Sequence, residues 1–429
     1  MIKERKIKHE WYQNQAKIFQ SKTRFIVACT GRRFGKTRGA IQWIVENSLK
    51  KNKSLNWWIA PTYRQAKIAI KYLLRLYPQY KFHLIKHFNK AGLSIEFING
   101  STIEFKSADT PEHLEGEGLD SLVIDEAGIV LKNENLWYHS LRPMLMDTLG
   151  KVCFIGTPKG GGLFKQFFIR GQGGDKDWKS FKFSSLDGHM GRLPQEIEEM
   201  KSSVPEYVYK QEVLAEFLED GSLFRNVEVV CSFNGEASCN REYVAGIDLA
   251  RHTDYTVIAI GYDNKCVYME RIPHMSWSLQ FERIGQILKD WNMPRILIDS
   301  TGAGDAFYES LQEGGHRVEG IQFNNINKTN MINNLVLNFE KKTIQVIRNE
   351  ALIDELKNFE FSILSSGKMK MEAISGRHDD HVIALALLFW GLKDYIVNVK
   401  PMLENTGQKR ESYKSQATYI KIAKDSMLL

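Results

Sequence analysis

Cysteine is scarce in this sequence, and none of its five cysteines forms the C-x-x-C pair that a zinc site would need. The first residues are charged and have no apolar core, so we expect no secretory leader, and the scattered cysteines indicate a reducing cytoplasm. Long apolar runs are also missing: the longest, at 382–390, is too short to span a bilayer. These absences predict a cytoplasmic protein without a membrane segment.

Internal repeats and low-complexity tracts are missing as well. The hydrophobic fraction of 43% and the charged fraction of 25% are those of an ordinary globular protein. The net charge of +7 is a mild basic excess, which fits contact with a phosphate backbone and fits equally well a merely soluble surface. Composition therefore permits a nucleic-acid partner without requiring one.

Two long segments alternate short apolar runs with helical patterns, which predicts two α/β domains. A stretch rich in turn formers separates them, and a polar, basic stretch follows the second. We predict a first domain over 1–220, a linker over 221–240, a second domain over 241–398 and a basic tail over 399–429.

The first domain contains a candidate phosphate-binding loop. An apolar strand at 25–29 (FIVAC) runs into 30–37 (TGRRFGKT), and a helical pattern follows. Backbone N–H groups of such a turn cradle phosphate oxygens, Lys36 can reach the β- and γ-phosphates, and Thr37 can hold Mg²⁺. The usual spacing places glycine at position 30, which here is Thr30. The pattern nevertheless predicts a P-loop that binds ATP.

Three further features agree with an ATP site. A strand at 121–126 (SLVIDE) ends in two acids, of which Asp125 would bind Mg²⁺ and Glu126 would activate the attacking water. Thr157 closes another strand, where it can sense the γ-phosphate or simply belong to a turn. Gln15 lies among aromatic residues, and its amide matches the donor and acceptor edges of adenine.

The second domain carries aspartates on several separate elements. Asp248 lies in an alternating strand, Asp254 precedes the next strand, and Asp299 ends a later one. Asp379 and Asp380 open an apolar helix, where Asp379 alone would also suit a helix cap. Hard carboxylate oxygens from several elements favour a two-ion Mg²⁺ or Mn²⁺ nuclease site. The alternative is a set of unrelated surface acids.

Taken in order, these motifs resemble the large terminase subunit of tailed bacteriophages. The resemblance rests on seven segments: GRRFGKT at 31–37, GEGLDSLVIDEA at 116–127, IGTP at 155–158, QEVLAEF at 211–217, GID at 246–248, IDSTG at 298–302 and HDDH at 378–381. It accounts for the displaced glycine, since the family's variant loop places glycines where Gly31 and Gly35 stand. It implies an N-terminal P-loop ATPase domain and a C-terminal RNase H-like α/β nuclease domain.

The resemblance implies a DNA-packaging motor. ATP hydrolysis would drive double-stranded DNA into a procapsid, and the nuclease would cut concatemeric DNA. The expected partners are the portal protein, the small terminase subunit and sibling subunits in a ring, with five as the expected number. We expect the protein in the host cytoplasm, docked transiently on the procapsid and absent from the mature virion. Arg32 or Arg33 would contact the γ-phosphate, Gln15 would read adenine, and Thr157 would couple hydrolysis to movement.

One position departs from the family. Many relatives carry an arginine where this chain has Glu115, and Arg142 is a substitute candidate for a charge acting across subunits. Between the two acids at the final helix, we favour Asp380 as the primary metal ligand, with Asp379 close by. Two rival functions stay open: a helicase-like or repair translocase fused to a nuclease, and a non-catalytic prophage remnant.

Overall fold

The computed structural model describes most of the chain between residues 11 and 393. The described ranges are 11–76, 84–109, 114, 116–159, 162–188, 193–218, 221–234, 241–249, 255–273, 275–301, 303–363, 369–375 and 377–393. Glu115, Asp254 and the predicted tail at 399–429 lie outside them. Within these ranges, no helix combines the length and the apolar character that crossing a membrane requires.

An eight-stranded sheet organises the first half, in the order β3-β4-β5-β2-β6-β7-β1-β8. The strands are β1 (Phe25–Thr30), β2 (Leu55–Ala60), β3 (Ile85–Asn89), β4 (Ser94–Phe97), β5 (Thr102–Ser107), β6 (Ser121–Asp125), β7 (Lys151–Gly156) and β8 (Trp178–Phe183). The strands from β5 to β8 in this order run parallel, and β3 and β4 are antiparallel at one edge. The predicted, mostly parallel sheet is confirmed.

Helices cover both faces of this sheet, which is why every residue of β1 is buried. They are α1 (Gln13–Phe19), α2 (Lys36–Lys50), α3 (Tyr63–Leu76), α4 (Ala127–Val130), α5 (Arg142–Met144), α6 (Gly162–Gln172), α7 (Leu193–Ser203) and α8 (Glu206–Glu212), with a π-helical turn at Leu136–Leu141 and a 3₁₀ turn at Ser185–Asp187. Alternate residues of β1 enter two separate cores, one on the α2 side and one on the α6 side.

The second half contains a six-stranded mixed sheet in the order β14-β13-β10-β11-β12-β15. Its strands are β10 (Val244–Asp248), β11 (Thr256–Tyr262), β12 (Lys265–Ile272), β13 (Arg295–Asp299), β14 (Val318–Ile321) and β15 (Gln345–Val346). Strand β10 is parallel to β13 and antiparallel to β11. A small second sheet joins β9 (Gly221–Ser222) to the hairpin of β16 (Phe359–Ile363) and β17 (Met369–Ala373).

Helices again flank the sheet. They are α9 (Val227–Val230), α10 (Trp277–Asp290), α11 (Ala303–Glu313), α12 (Asn325–Lys341), α13 (Glu350–Lys357) and α14 (Asp380–Gly391). The apolar α14 lies directly on β10, because Gly246 leaves room for it: a Cβ there would collide with the Ala384 carbonyl. This close approach brings the start of α14 beside the end of β10.

The stretch predicted as a linker is partly built into the second half. Strand β9 pairs with β16, and Leu223, Phe224 and Val227 are buried in the same core as α14. Residues 235–240 lie outside the described ranges. The domain boundaries themselves remain a prediction.

Candidate functional site

The P-loop begins one residue later than the usual spacing suggests. Thr30 is still part of strand β1, where it pairs with Phe183 of β8, and the turn starts at Gly31. A Cβ at Gly31 would come within 2.5 Å of the backbone nitrogen of Ser185. Glycine is therefore required at position 31, whereas position 30 is ordinary buried strand that accepts threonine.

The loop leads directly into helix α2. Gly35 is the residue before that helix and has a left-handed φ of 95°, and Lys36 is the first helical residue. Two side chains around α1 hold the loop backbone: the Gln15 amide donates to the Gly35 carbonyl at 2.8 Å, and the Tyr12 hydroxyl donates to the Phe34 carbonyl. Gln15 thus supports the loop beside the nucleotide site, and its contact with adenine remains a prediction.

The two predicted acids follow β6 and face the P-loop lysine. The Lys36 ammonium lies 3.8 Å from the Glu126 carboxylate, and Lys36 is buried. Asp125 is partly buried, and its pKa rises to about 7 because burial and the neighbouring Glu126 disfavour its charge, while Lys36 opposes the rise. A cation beside Asp125 would offset this cost. The arrangement suits a magnesium ion beside a bound phosphate group.

Thr157 lies at the same edge of the sheet. It directly follows β7, whose Gly156 pairs with Cys29 of β1, so Thr157 and Thr30 are at neighbouring strand ends. Both hydroxyls are buried, and neither has a hydrogen-bond partner within the described residues. A buried hydroxyl left unpaired is unfavourable. A phosphate oxygen or water at this edge would satisfy it.

The two loop arginines have different environments. Arg33 is exposed and adopts a left-handed φ of 62°. The backbone N–H of Arg32 donates to the Glu212 carbonyl at 2.8 Å, and its guanidinium pairs with the Glu212 carboxylate. Lys159 lies 3.6 Å from the same carboxylate. Sequence reasoning missed Glu212, since nothing in the local pattern of α8 points to a loop some 180 residues upstream.

In the second half, the predicted aspartates lie around one end of the sheet. Burial and the neighbouring carboxylates of Asp380 and Asp379 raise the pKa of Asp248 well above its usual value, with a smaller contribution from Asp299. The Lys328 ammonium partly opposes this rise. Four of the five predicted acids are therefore electrostatic neighbours. Asp254 lies outside the described residues.

Each of the other acids has a defined support. The backbone N–H and the hydroxyl of Thr301 both donate to Asp299, at 3.0 and 2.6 Å. The Tyr255 N–H donates to Asp380 at 3.2 Å. Asp379 occupies the position before α14 but makes no side-chain cap, and Lys328 of α12 lies 3.4 Å from its carboxylate. The capping alternative for Asp379 is therefore not realised.

A buried pair behind this cluster escaped the sequence analysis. Glu355 accepts hydrogen bonds from the backbone N–H groups of His381 and Val382, at 2.8 and 3.2 Å, and contacts the His381 ring at 2.5 Å. Both partners of the pair are buried. One indication was available: Glu355 lies on the apolar stripe of α13 that buries Leu352 and Leu356. A charged residue on such a stripe requires a partner.

The chemistry of the cluster fits divalent cations. Buried carboxylates that repel one another are stabilised by a shared cation, and oxygen donors suit Mg²⁺ or Mn²⁺. Across the ranges that the structure describes, no three His, Cys, Asp or Glu side chains are already close enough to hold an ion as they stand. The residues that would hold the metal are thus assembled as neighbours, and their roles as ligands remain a prediction.

Arg142 lies far from the P-loop of its own chain. Its guanidinium packs 4.9 Å from the ring centroid of Phe25, the first residue of β1, whereas the P-loop follows the last residue of that strand. The two are separated by the length of a six-residue strand, about 20 Å. A role across subunits remains a prediction.

Comparisons with known proteins match the chain to large terminase subunits of phages. A family model described as "Terminase large subunit, T4likevirus-type, N-terminal" matches residues 27–229. The large terminase subunit of Thermus virus P23-45 is 29% identical over 420 residues, covering 87% of this chain and 86% of that protein. The large terminase of a thermophilic bacteriophage, solved in complex with ADP, superposes with a TM-score of 0.53 at 16% identity, covering 88% of this chain and 98% of that one. The large terminase nuclease of phage G20c, solved with bound magnesium, is 26% identical with a TM-score of 0.37, covering 40% of this chain and 97% of that one.

The two mixed α/β sheets, each with its acidic site, match the ATPase and nuclease domains of the solved terminases. The chain matches the large terminase subunits of phages over 87% of its length, and the comparisons support a DNA-packaging ATPase joined to a nuclease. Both the predicted family and the predicted fold class are confirmed, and the match favours the terminase over a helicase-like translocase.

Proposed function

We propose that this chain is the motor subunit that moves double-stranded DNA into a procapsid and cuts the concatemer with a two-ion nuclease. The ATPase domain would span 1–220 and the nuclease domain 241–398, with a linker between them and a basic tail after 399. The observation that carries the proposal is the presence of two separate acidic sites in one chain, one facing the P-loop lysine and one spread over three elements of the second half.

In the ATPase domain, Lys36 would exchange its contact with Glu126 for the β- and γ-phosphates. Thr37 and Asp125 would hold Mg²⁺, and Glu126 would then be free to accept a proton from the attacking water. Thr157 would sense the γ-phosphate through its buried hydroxyl. The remaining nucleotide contacts would come from Gln15, Gly31, Arg32, Arg33 and Gly35.

In the nuclease domain, a pair of Mg²⁺ or Mn²⁺ ions would supply the Lewis acidity for phosphodiester cleavage. The residues that would hold them are Asp248, Asp254, Asp299, Asp379 and Asp380. Asp248 and Asp380 would both hold metal, because Asp380 is the neighbouring carboxylate that raises the pKa of Asp248 most. Lys328 would keep Asp379 oriented between turnovers.

The proposal includes cofactors, partners and a location. Magnesium is bound in the nuclease of phage G20c, and ADP is bound in the terminase of the thermophilic bacteriophage. We extend a divalent ion and a nucleotide to the two acidic sites of this chain, where a cation would offset the crowded carboxylates. The chain would act as a ring of five on the portal protein of a procapsid, receive DNA from the small terminase subunit, and remain in the host cytoplasm when packaging ends.

One experiment tests both sites. ATP hydrolysis and plasmid cleavage, with Mg²⁺, Mn²⁺ or EDTA, are measured for the wild type, Lys36→Ala and Asp248→Asn. We expect Lys36→Ala to lose hydrolysis by at least about 100-fold while it retains metal-dependent cutting, because it removes charge stabilisation of the phosphates worth several kcal/mol. Asp248→Asn should show the reverse.

The two variants serve as controls for each other, since each should keep one activity. Hydrolysis that survives in Lys36→Ala would remove the P-loop assignment. Cutting that survives in Asp248→Asn, or that persists in EDTA, would remove the nuclease assignment.

A further inference from the structure

Basic side chains cluster at the N-terminal edge of strands β1 and β8, at the end of the sheet opposite the P-loop. The members are Lys22, Arg24, Arg142, Arg170, Lys176 and Lys179. Lys17 of α1 lines the same groove, and its ammonium lies 5.9 Å from the ring centroid of Phe183 at the other end of β8. Two carboxylates lie among the basic side chains: Asp175, which binds Arg170 at 2.8 Å, and Asp177. The edge therefore carries a large local excess of positive charge that the nucleotide and nuclease sites do not use.

Part of this cluster is fixed by stacked rings. Phe25 and Trp178 stack with centroids 4.4 Å apart, the Arg142 guanidinium lies 4.9 Å from the Phe25 ring, and the Arg170 guanidinium lies 4.7 Å from the Trp178 ring. Stacking of this kind holds a guanidinium in place while leaving N–H donors for an anion. The arginines are thus held in position before any ligand arrives.

The Arg142 guanidinium has a buried nitrogen, Nη1, without a hydrogen-bond acceptor among the described residues. Arg24, by contrast, donates to the Gly150 and Leu145 carbonyls at 3.1 and 2.7 Å. Burial is the main cause that lowers the pKa of Arg142, the neighbouring charges of Arg24 and Arg170 lower it further, and Asp177 opposes them. An oxyanion at this position would accept a hydrogen bond from Nη1 and would offset the neighbouring positive charges.

The lysines line an adjoining groove of about 570 Å³. All four, Lys17, Lys22, Lys176 and Lys179, are exposed, and the side chains of Ser21 and Thr23 lie between them. The cores of protein–protein interfaces are rich in aromatic residues and poor in lysine. This groove has the opposite composition, with Ala16 as its apolar contribution. Its chemistry suits a phosphate backbone.

We propose that this basic edge binds the phosphate backbone of duplex DNA, independently of base sequence. The inference rests on the proposed packaging function and adds to it a contact surface on the ATPase domain, centred on the ends of β1 and β8 that lie away from the P-loop. Lysines would act as point charges on successive phosphates, and Arg142 and Arg170 would donate to a phosphate from their fixed positions. Contacts of this kind with phosphates carry no information on base sequence.

The test compares two variants with equal charge loss. In the groove variant, Lys17, Lys22, Lys176 and Lys179 become glutamine. In the control, four exposed lysines on α3 and in the loops before β2 and between β3 and β4 become glutamine, namely Lys53, Lys67, Lys71 and Lys90. Binding of the full chain to a short fluorescent duplex is measured by anisotropy over a range of salt concentrations. Removing one lysine–phosphate pair lowers the magnitude of the slope of log K against log salt concentration by about 0.9. We expect the magnitude of this slope to fall by about 2–4 in the groove variant and by less than about 1 in the control.

DNA-free ATP hydrolysis is measured for the same samples and should be unchanged, which shows that the fold and the P-loop site are intact. Arg142→Gln alone should lower the slope by about one. Equal slopes in the groove and control variants would overturn the proposal. So would unchanged DNA binding accompanied by a loss of self-association in sedimentation, since the edge would then dock protein. Failure of the packaging function itself would appear separately, as hydrolysis that survives Lys36→Ala.

Discussion

At the scale of single residues, Glu355 shows how a side chain outside the metal cluster can determine its geometry. Its carboxylate accepts from the first backbone N–H groups of α14, and Asp380 is the residue where that helix begins. An acceptor at a helix N-terminus stabilises the first turn and fixes its direction. We infer that Glu355 positions Asp380 without touching the metal.

This inference predicts a specific change in Glu355→Gln. The amide keeps the shape but weakens the bonds to His381 and Val382, so Asp380 should be held less firmly and cutting should need about 10-fold more Mn²⁺. ATP hydrolysis should not change. The measurement is cleavage rate against Mn²⁺ concentration, with Glu360→Gln on the neighbouring strand as the control.

A purely structural role for Glu355 would give a different result. The melting temperature and the total cleavage would fall together, and the Mn²⁺ concentration at half-maximal rate would not move. Glu355→Asp should lose less metal affinity than Glu355→Gln, because it keeps the charge on a shorter arm. If Glu355→Asp needs as much Mn²⁺ as Glu355→Gln or more, charge at this position is not what matters.

At the scale of elements, helix α8 connects the two halves of the molecule. At its start, the Glu206 N–H donates to the Glu340 carboxylate of α12 at 3.1 Å, and the Tyr207 hydroxyl donates to Asn333. At its end, the Gln211 amide donates to the Pro158 carbonyl at 3.1 Å, and Glu212 holds Arg32. A single short helix therefore contacts the nuclease domain, the P-loop and the residue after Thr157.

We predict that cutting responds to nucleotide through this helix. A γ-phosphate that attracts Arg32 away from Glu212 would loosen the end of α8, and a rigid helix passes that shift to α12. Adding a non-hydrolysable ATP analogue should change the cleavage rate about fivefold, which is at the low end of typical allosteric coupling between two sites. In Tyr207→Phe, which loses the bond to Asn333, the ratio of cleavage rates with and without the analogue should approach one.

Tyr209→Phe on the same helix is the matched control and should keep the wild-type ratio, and basal hydrolysis should survive in both variants. A wild-type ratio in Tyr207→Phe would show that the two sites do not communicate through this contact.

Elements were also where the sequence was most informative. Continuous apolar runs predicted strand β1 and helix α14 to within a few residues, because an element buried on all sides must be apolar along its whole length. The order of strands within each sheet could not be predicted from the sequence. The contacts of α8 could not be predicted either, because they join residues more than a hundred positions apart.

At the scale of the whole molecule, the acids of each site were predictable and their supporting residues were not. Asp248, Asp299 and Asp380 end or begin regular elements, so the pattern of the chain marks them. Lys328 of α12 and Glu355 of α13 reach the same site from helices that meet it only in the folded chain. A local sequence motif can identify an acid at the end of a strand or the start of a helix. It cannot identify the distant charged residues that tertiary packing brings beside that acid.

The presence of separate cores in the two halves predicts separate stabilisation by their ligands. A ligand at about 100 times its Kd adds about 2.7 kcal/mol to the stability of the domain that binds it. For a domain of this size, that raises the melting temperature by about 5–10 °C. Mn²⁺ without nucleotide should therefore shift one calorimetric transition in the wild type and in Lys36→Ala, and should fail to shift it in Asp248→Asn. A uniform shift in all three proteins would mean that Mn²⁺ stabilises the fold elsewhere, and the acidic cluster of the second half would lose its main support as the metal site.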